Sequence, residues 1–184
     1  MASDKLITLI TGANQGLGLY AVQQLAQTGT HHILMGSRNL QRAQEAIQKL
    51  ATDSQLKVDT SHIEALEIDV TSDESIKQAA ATVEQKFGRL DVLLNNAGIA
   101  MLPDQQDMSL REQYAKIFDT NLFGAVVVTD VFLPLLRKGS AKRLGFTSSG
   151  LSSLEWAVNQ PHPQFSAKNY HIYRSTKTAM SMVS

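Results

Sequence analysis

The apolar residues of the chain fall into short runs, separated by longer stretches in which they recur at helical spacing. The short runs end at glycine or polar turn residues and predict five β-strands, at residues 5–11, 32–35, 63–70, 90–94 and 143–147. The longer stretches predict helices with one apolar side, at residues 17–27, 39–50, 72–87 and 109–136 and from Tyr170 onward. Strands that alternate with helices and are apolar on both faces predict an α/β fold, with a parallel sheet covered on both sides.

The ends of several predicted helices carry residues that favour termination. Asn39 and Ser72 are predicted N-caps, because their side-chain oxygens can accept backbone hydrogen bonds. Gly29 and Gly88 are predicted to end the helices before them, since glycine readily adopts the left-handed conformation found at such ends. Pro134 is expected to stop or kink the long helix.

Composition narrows the class of protein. The 184 residues, 43% of them apolar, suffice for one globular domain over residues 1–184. The formal net charge of zero gives no general attraction to nucleic acid or to an anionic membrane. The absence of cysteine excludes disulfides and thiolate catalysis. The five histidines show no metal-ligand spacing, so no metal site is expected.

Three segments bear on location and on regular structure. The longest apolar stretch, residues 124–136, is interrupted by Asp130 and Pro134 and is expected to fall short of a membrane span. The first residues lack the hydrophobic segment of a signal peptide. We therefore expect a cytoplasmic protein with neither a membrane nor a nucleic acid as partner. Residues 150–169 show no periodic pattern and predict an irregular segment.

The first strand leads into a glycine-rich segment, Thr11-Gly12-Ala13-Asn14-Gln15-Gly16-Leu17-Gly18. Glycines at a strand-to-helix turn let the backbone turn tightly and approach a pyrophosphate closely. The amide groups and the dipole of the following helix then face the phosphates. Isolated glycines are often no more than a tight turn, but here the flanking strand and helix favour a dinucleotide site.

The spacing Gly-x-x-x-Gly-x-Gly resembles that of the short-chain dehydrogenase/reductase (SDR) family. Further motifs of that family follow in order along the chain: Asn95-Asn96-Ala97-Gly98, Asn121, Ser148-Ser149 and Tyr173-Arg174-Ser175-Thr176-Lys177. The resemblance covers essentially the whole chain and implies a Rossmann doubly wound parallel sheet. The long segment between Ser149 and Tyr173, which contains Trp156, Pro161 and Phe165, resembles the loop of carbonyl reductases, although a surface-covering loop without a substrate role is the alternative. Ser152 departs from the glycine that is common there, so the local turn stays open.

The resemblance implies a bound nicotinamide cofactor. NAD-selective sites place an acidic residue about 20 residues past the glycines, whereas the second strand here ends in Ser37-Arg38. Arg38 can offer a planar fork to a 2′-phosphate, which favours NADP over NAD; a solvated surface arginine is the alternative. Asp69 resembles the family's adenine contact, or is a turn residue before Ser72. The candidate cofactor-binding residues are Gly12, Asn14, Gln15, Gly16, Leu17, Gly18, Arg38, Asp69, Val70, Asn96, Ala97, Gly98, Tyr173 and Lys177.

The candidate catalytic residues are Asn121, Ser149, Tyr173 and Lys177. Tyr173 is the candidate general acid, because reduction of a carbonyl builds negative charge on oxygen. Lys177 lies four residues further on, hence on the same helix face, where its charge would lower the pKa of the tyrosine. The resemblance implies that Ser149, rather than Ser148, binds the substrate oxygen. It also implies that Asn121 holds a water of a proton relay, although a structural asparagine is the alternative.

Two functions remain open from the sequence. The first is an NADP(H)-dependent oxidoreductase acting on a small carbonyl or alcohol, and the second is a cofactor-binding or regulatory module without chemistry. Because Ser184 follows Lys177 by only seven residues, whereas family members continue further, the C-terminal part is expected to be missing. The fifth strand would then form an unpaired edge, and Met180, Met182 and Val183 would be uncovered. A homo-oligomer is expected only of a full-length form.

Overall fold

The computed structural model describes residues 5–53, 55–56, 58–101, 105–159 and 170–184. Within them, five strands form one sheet in the order β3-β2-β1-β4-β5, and every neighbouring pair is parallel. The strands are β1 (Leu6–Ile10), β2 (His31–Ser37), β3 (Ile63–Glu67), β4 (Val92–Asn95) and β5 (Arg143–Phe146). This order matches the first five strands of the doubly wound dinucleotide fold, so the predicted fold class is confirmed.

Helices connect the strands and cover both faces of the sheet. They are α1 (Gly16–Gln27), α2 (Leu40–Thr52), α3 (Asp73–Phe87), α4 (Leu110–Phe118), α5 (Gly124–Lys138), α6 (Leu154–Asn159) and α7 (His171–Val183). The apolar residues of α1 and α2 pack on one face, around Ile10, Ile33 and Met35. Those of α3 and α5 pack on the other face, around Ile7 and Leu9. Consecutive residues of one strand thus pack on opposite faces of the sheet, as the two-residue period of a strand requires.

The predicted helix caps form. The Asn39 side chain accepts a hydrogen bond from the Arg42 amide, and that of Ser72 accepts one from the Ser75 amide. Gly88 ends α3 in the left-handed region, with a φ of 68°. Gly29 has the same φ and donates its N–H to the Ala26 carbonyl at the end of α1. These local signals place the turns that lead into β2 and β4.

The long apolar helix differs from its prediction. It runs from Leu110 to Lys138 and passes through a π-helical turn, Asp119–Phe123, between α4 and α5. Pro134 lies inside α5 and does not stop it; the residue is exposed, where water can satisfy the backbone group that lacks a partner. By length and composition alone this 29-residue helix could cross a membrane, whereas the expectation concerned residues 124–136 only. In the structure its residues Val128 and Phe132 are buried in the core.

Other element boundaries also differ from those predicted. β3 ends at Glu67 rather than at residue 70, and β4 begins at Val92 rather than at residue 90. Residues 150–169 were expected to be irregular, but Gly150–Ser152 form a 3₁₀ turn and Leu154–Asn159 form α6. Trp156 lies in α6, whereas Pro161 and Phe165 are outside the described residues.

The C-terminal helix and the sheet edge agree only in part with expectation. β5 is the outermost strand and has one neighbour among the described residues, as predicted. Met182 and Val183 are exposed, but Met180 is 1% exposed and therefore buried, contrary to the prediction. Met180 lines a small cavity together with Leu144 and Phe146 of β5.

Candidate active site

A cleft of about 540 Å³ lies at the carboxyl edge of the sheet. β1 and β4 are neighbours there, and the chain leaves them toward opposite faces, which is where open α/β sheets bind ligands. Every candidate cofactor-binding residue lines this cleft: Gly12, Asn14, Gln15, Gly16, Leu17, Gly18, Arg38, Asp69, Val70, Asn96, Ala97, Gly98, Tyr173 and Lys177. The fold thus brings together candidate residues from five separate segments of the chain.

The glycine-rich turn is shaped by close contacts. Gly12 has a φ of 62°, and a Cβ added to it would lie 2.9 Å from Cα of Ala97. A Cβ on Gly18 would lie 2.5 Å from Nδ2 of Asn96 and 2.7 Å from the carbonyl oxygen of Gly12. Gly16 has a φ of 58° and open space around it. Two of these glycines therefore permit close packing of the turn on the end of β4.

Leu17 shows how the turn presents its side chains. The helical pattern of residues 17–27 predicts Leu17 and Val22 on the same apolar side of α1. In the structure Val22 is fully buried, whereas Leu17 is 71% exposed and lines the cleft. Its exposure is explained by its position in the first turn of α1, at the mouth of the cleft rather than over the sheet.

Hydrogen bonds hold the ends of the central strands together. The Thr11 hydroxyl accepts the backbone N–H groups of Asn96, at 3.0 Å, and of Ala97, at 3.1 Å. The Asn96 amide donates to the carbonyl oxygens of Thr11 and Gly12, and its oxygen accepts the Thr147 hydroxyl at 3.2 Å. Asn96 thereby joins the glycine-rich turn to the residue that follows β5.

Asn121 lies in the π-helical turn and is fully buried. Its side-chain oxygen accepts the Ile99 N–H at 2.8 Å. Its amide donates to the Ile99 carbonyl at 2.9 Å and to the Thr176 hydroxyl at 3.0 Å. The side chain therefore fastens the segment after β4 to α7, and it does not itself line the cleft.

Lys177 is 2% exposed yet lines the cleft. Its Nζ donates to the Thr147 carbonyl at 2.7 Å. A Cβ on Gly98 would lie 3.5 Å from this Nζ, so the glycine leaves room for the ammonium group. Burial lowers the pKa of Lys177 from its usual 10.5, because the interior disfavours the charged form.

Tyr173 is half-buried, lines the cleft and presents its ring 5.7 Å from Nζ of Lys177. The two side chains share one face of α7, as the four-residue spacing requires. Ser149 is also half-buried, but its hydroxyl accepts the Leu151 N–H at 3.2 Å, and it does not line the cleft. Ser148 lines a separate cavity beside β5 with Met180. The structure thus groups Tyr173 with Lys177 and leaves Ser149 outside the cleft lining.

Arg38 and Asp69 line the same cleft from the segments that follow β2 and β3. Arg38 is exposed at the end of β2. The Asp69 carboxylate accepts both the backbone N–H and the hydroxyl of Thr71, at 2.9 and 2.7 Å. This carboxylate therefore also organises the turn before α3, which was the alternative interpretation of Asp69.

Several lining residues were not identified from the sequence: Ile68, Thr71, Ile99, Ala100, Met101, Thr120 and Thr147. Most of them directly follow or precede a recognised motif, so adjacency was the available signal. Thr11 and Thr176 were part of quoted motifs but were given no role. Their hydroxyls act through hydrogen bonds to distant residues, which no local pattern indicates.

The cleft fits a nicotinamide dinucleotide. Its volume lies within the range of about 300–1,000 Å³ that is typical of cofactor sites. The glycine-rich turn would form a cradle at the N-terminus of α1 for the phosphates, and a side chain at Gly12 or Gly18 would close it.

Comparisons with known proteins agree on the family. The sequence model of the family described as short chain dehydrogenase matches residues 6–183. The short-chain dehydrogenase anuI of Penicillium roqueforti is 43% identical over 187 residues, which cover 100% of this chain and 71% of that protein. The (−)-isopiperitenone reductase of Mentha piperita is 29% identical, covering 85% of this chain and 62% of that protein.

Solved structures show the same fold. A protein assigned as the carbonyl reductase Sniffer of Caenorhabditis elegans has a TM-score of 0.77 and 27% identity, covering 98% of this chain and 77% of that one. A short-chain dehydrogenase of Streptomyces avermitilis has a TM-score of 0.74 and 26% identity, and this chain covers 59% of it. This chain is thus shorter than these relatives, and it belongs to the short-chain dehydrogenase/reductase family of oxidoreductases.

Proposed function

We propose that the chain is an NADP(H)-dependent oxidoreductase that reduces a small carbonyl substrate or oxidises the corresponding alcohol. The observation that carries this proposal is that Tyr173 and Lys177 line the same cleft as the glycine-rich turn and Arg38. The likeness to a protein assigned as a carbonyl reductase points in the same direction. Because the chain spans only part of its relatives' length, the activity of a whole protein belongs to this proposal too.

In the proposed mechanism, the glycine-rich turn and Arg38 would hold a nicotinamide cofactor, which would supply the hydride for reduction or take it up in alcohol oxidation. Tyr173 donates a proton to the substrate oxygen as negative charge develops there, and it accepts that proton in the reverse direction. The Lys177 ammonium, oriented by the Thr147 carbonyl, stabilises negative charge on the Tyr173 oxygen. Ser149 would bind the substrate oxygen after a local rearrangement of its hydroxyl. A relay water near Asn121 remains part of the proposal.

Replacing Tyr173, the proposed general acid, tests the proposed proton transfer. In Tyr173→Phe we expect carbonyl-dependent NADPH oxidation to fall by about 10²–10⁴-fold. The dissociation constant of NADPH, measured by fluorescence titration, should change little, because the hydroxyl acts on substrate.

Tyr170→Phe is the matched control, since it removes a phenolic hydroxyl three residues away that lies outside the cleft. Near-normal turnover in Tyr173→Phe would contradict the proposal. NADPH binding by the unmodified chain, without turnover of any carbonyl in a panel, would instead favour the non-catalytic module.

Arg38 carries the proposed preference for NADP over NAD. Its exposed guanidinium at the end of β2 can pair with a 2′-phosphate through two parallel hydrogen bonds. Arg38→Asp removes this cation and adds a like charge, so we expect NADPH affinity to fall and the preference to shift toward NADH. Arg42→Asp makes the same charge change outside the cleft and serves as control. An unchanged ratio of the NADPH and NADH dissociation constants in Arg38→Asp would rule this preference out.

A further inference from the structure

A buried hydrogen-bonded chain joins three segments that carry residues of the cleft. Its centre is Asn121, whose amide group exchanges two hydrogen bonds with the backbone of Ile99. Because the Ile99 N–H must meet the oxygen and the Ile99 carbonyl must meet the nitrogen, the orientation of this amide is fixed. Its second N–H is therefore directed away from Ile99, and it needs a separate acceptor.

That acceptor is the Thr176 hydroxyl, 3.0 Å away, and both side chains are fully buried. The same hydroxyl donates to the Tyr173 carbonyl at 2.7 Å. A bond from threonine to a carbonyl in the preceding turn is common in helices, but the bond from Asn121 crosses 55 positions of sequence. Because both side chains are buried, removal of the hydroxyl leaves this amide N–H without the acceptor it has in the structure.

We propose that Thr176 is a positioning residue that fixes Gly98 and Ile99 relative to Tyr173 and Lys177. Gly98 lies close to both Asn121 and Lys177, because a Cβ on Gly98 would lie 3.3 Å from Oδ1 of Asn121 and 3.5 Å from Nζ of Lys177. Thr176 touches none of the reacting groups and acts through Asn121 and the backbone of α7. The consequence for turnover rests on the proposed function, whereas the consequence for the Ile99 backbone does not.

The chain contains a closely matched control at Thr129. Its hydroxyl accepts the Asn95 amide at 2.8 Å and donates to the Ala125 carbonyl, four residues back, at 2.8 Å. Thr129, like Thr176, accepts an asparagine amide from another segment and donates to a carbonyl of its own helix, although Thr129 is only half-buried. Neither Thr129 nor Asn95 lines the cleft. Thr129→Val therefore removes the same types of bond at a place that the proposal does not involve.

Hydrogen exchange of the Ile99 amide tests the positioning directly, without cofactor or substrate. In Thr176→Val we expect this amide, measured by NMR, to exchange about tenfold faster or more, because its acceptor Asn121 is no longer held. Thr176→Ser should keep the slow exchange, and Thr129→Val should leave it unchanged. Equal exchange in Thr176→Val and the unmodified chain would overturn the proposal. If the valine variant does not fold, Thr176→Ala against Thr176→Ser carries the same comparison of hydroxyl present or absent.

Turnover gives the second measurement. Misplacement of reacting groups by about 1 Å can cost on the order of 100-fold in rate, so we expect kcat of Thr176→Val to fall by about 10–100-fold. The NADPH dissociation constant should change far less, and Thr176→Ser should restore most of kcat. A kcat loss in Thr176→Ser as large as in Thr176→Val, or an equal loss in Thr129→Val, would overturn the proposal. An unmodified chain without turnover would contradict the proposed function, and the Ile99 exchange would then decide this inference alone.

Discussion

Two buried charged residues lie at opposite edges of the same sheet and differ in the hydrogen-bond partners that surround them. Asp91 lies at the amino edge, just before β4, and Lys177 lies at the carboxyl edge, in the cleft. The Asp91 carboxylate accepts hydrogen bonds from the Ile7 N–H, from both the N–H and the hydroxyl of Ser140, and from the Arg89 guanidinium, at 2.6–3.1 Å. Within the described residues, Lys177 donates one hydrogen bond, to the uncharged Thr147 carbonyl, and no acidic group contributes to its pKa shift.

The pKa shifts express this difference. Burial alone would raise the pKa of Asp91, but the hydrogen bonds from Ile7, Ser140 and Arg89 outweigh it and lower the pKa to about 2. For Lys177, burial lowers the pKa, and no neighbouring charge counteracts it. Asp91 is therefore a charge that the native structure stabilises. Lys177 is a charge that the native structure tolerates, which is typical of groups placed for function rather than stability.

The largest expected effect is on turnover, when Lys177 at the carboxyl edge is replaced. Lys177→Met keeps the length of the side chain but removes its charge, so the proposed turnover should fall by about 10²-fold or more. The free energy of unfolding, measured with urea, should fall little or even rise, because the penalty for burying an uncompensated charge disappears. Lys116→Met, on the exposed face of α4, is the control for removal of a lysine charge. A strong loss of stability in Lys177→Met would remove the contrast with Asp91.

Replacement of Asp91, at the amino edge, should lower stability and leave cofactor binding unchanged. Asp91→Asn presents an NH₂ group to donors at Ile7 or Ser140 and leaves at least one of them unsatisfied. We expect the free energy of unfolding to fall by about 1–3 kcal/mol. NADPH affinity should stay close to that of the unmodified chain, because the altered residue lies at the far edge of the sheet from the cleft. A variant with unchanged stability would show that these hydrogen bonds contribute nothing net.

A smaller and more gradual loss in the free energy of unfolding is expected as the pH is lowered. Because the folded-state pKa of Asp91 lies below its ordinary value of 3.8, its stabilising contribution is complete above pH 3.8 and is lost as pH falls toward about 2. Urea unfolding across this window should show a steeper loss of stability in the unmodified chain than in Asp91→Asn. Parallel curves for the two proteins would mean that other carboxylates dominate acid unfolding.

Much of the fold followed from the sequence alone, because its signals are local. The apolar runs located all five strands, and Asn39, Ser72 and Gly88 placed helix ends through bonds to residues within four positions. The glycine spacing and the Tyr173–Lys177 pair likewise depend on neighbours along the chain. Residues that meet the same edge of a parallel sheet are brought together by topology, so the cleft could be anticipated from motif order.

Tertiary structure decided the rest. The helix continues past Pro134 because that residue faces solvent, which the apolar pattern around it does not reveal. Thr176 meets Asn121 across 55 positions, and Asp91 meets Ile7 across 84. Such partners depend on how helices and strands pack, and Asn, Asp and Thr also occur in exposed turns. The sequence therefore determined which elements form and which motifs they carry, whereas packing determined which polar groups are buried and what holds them.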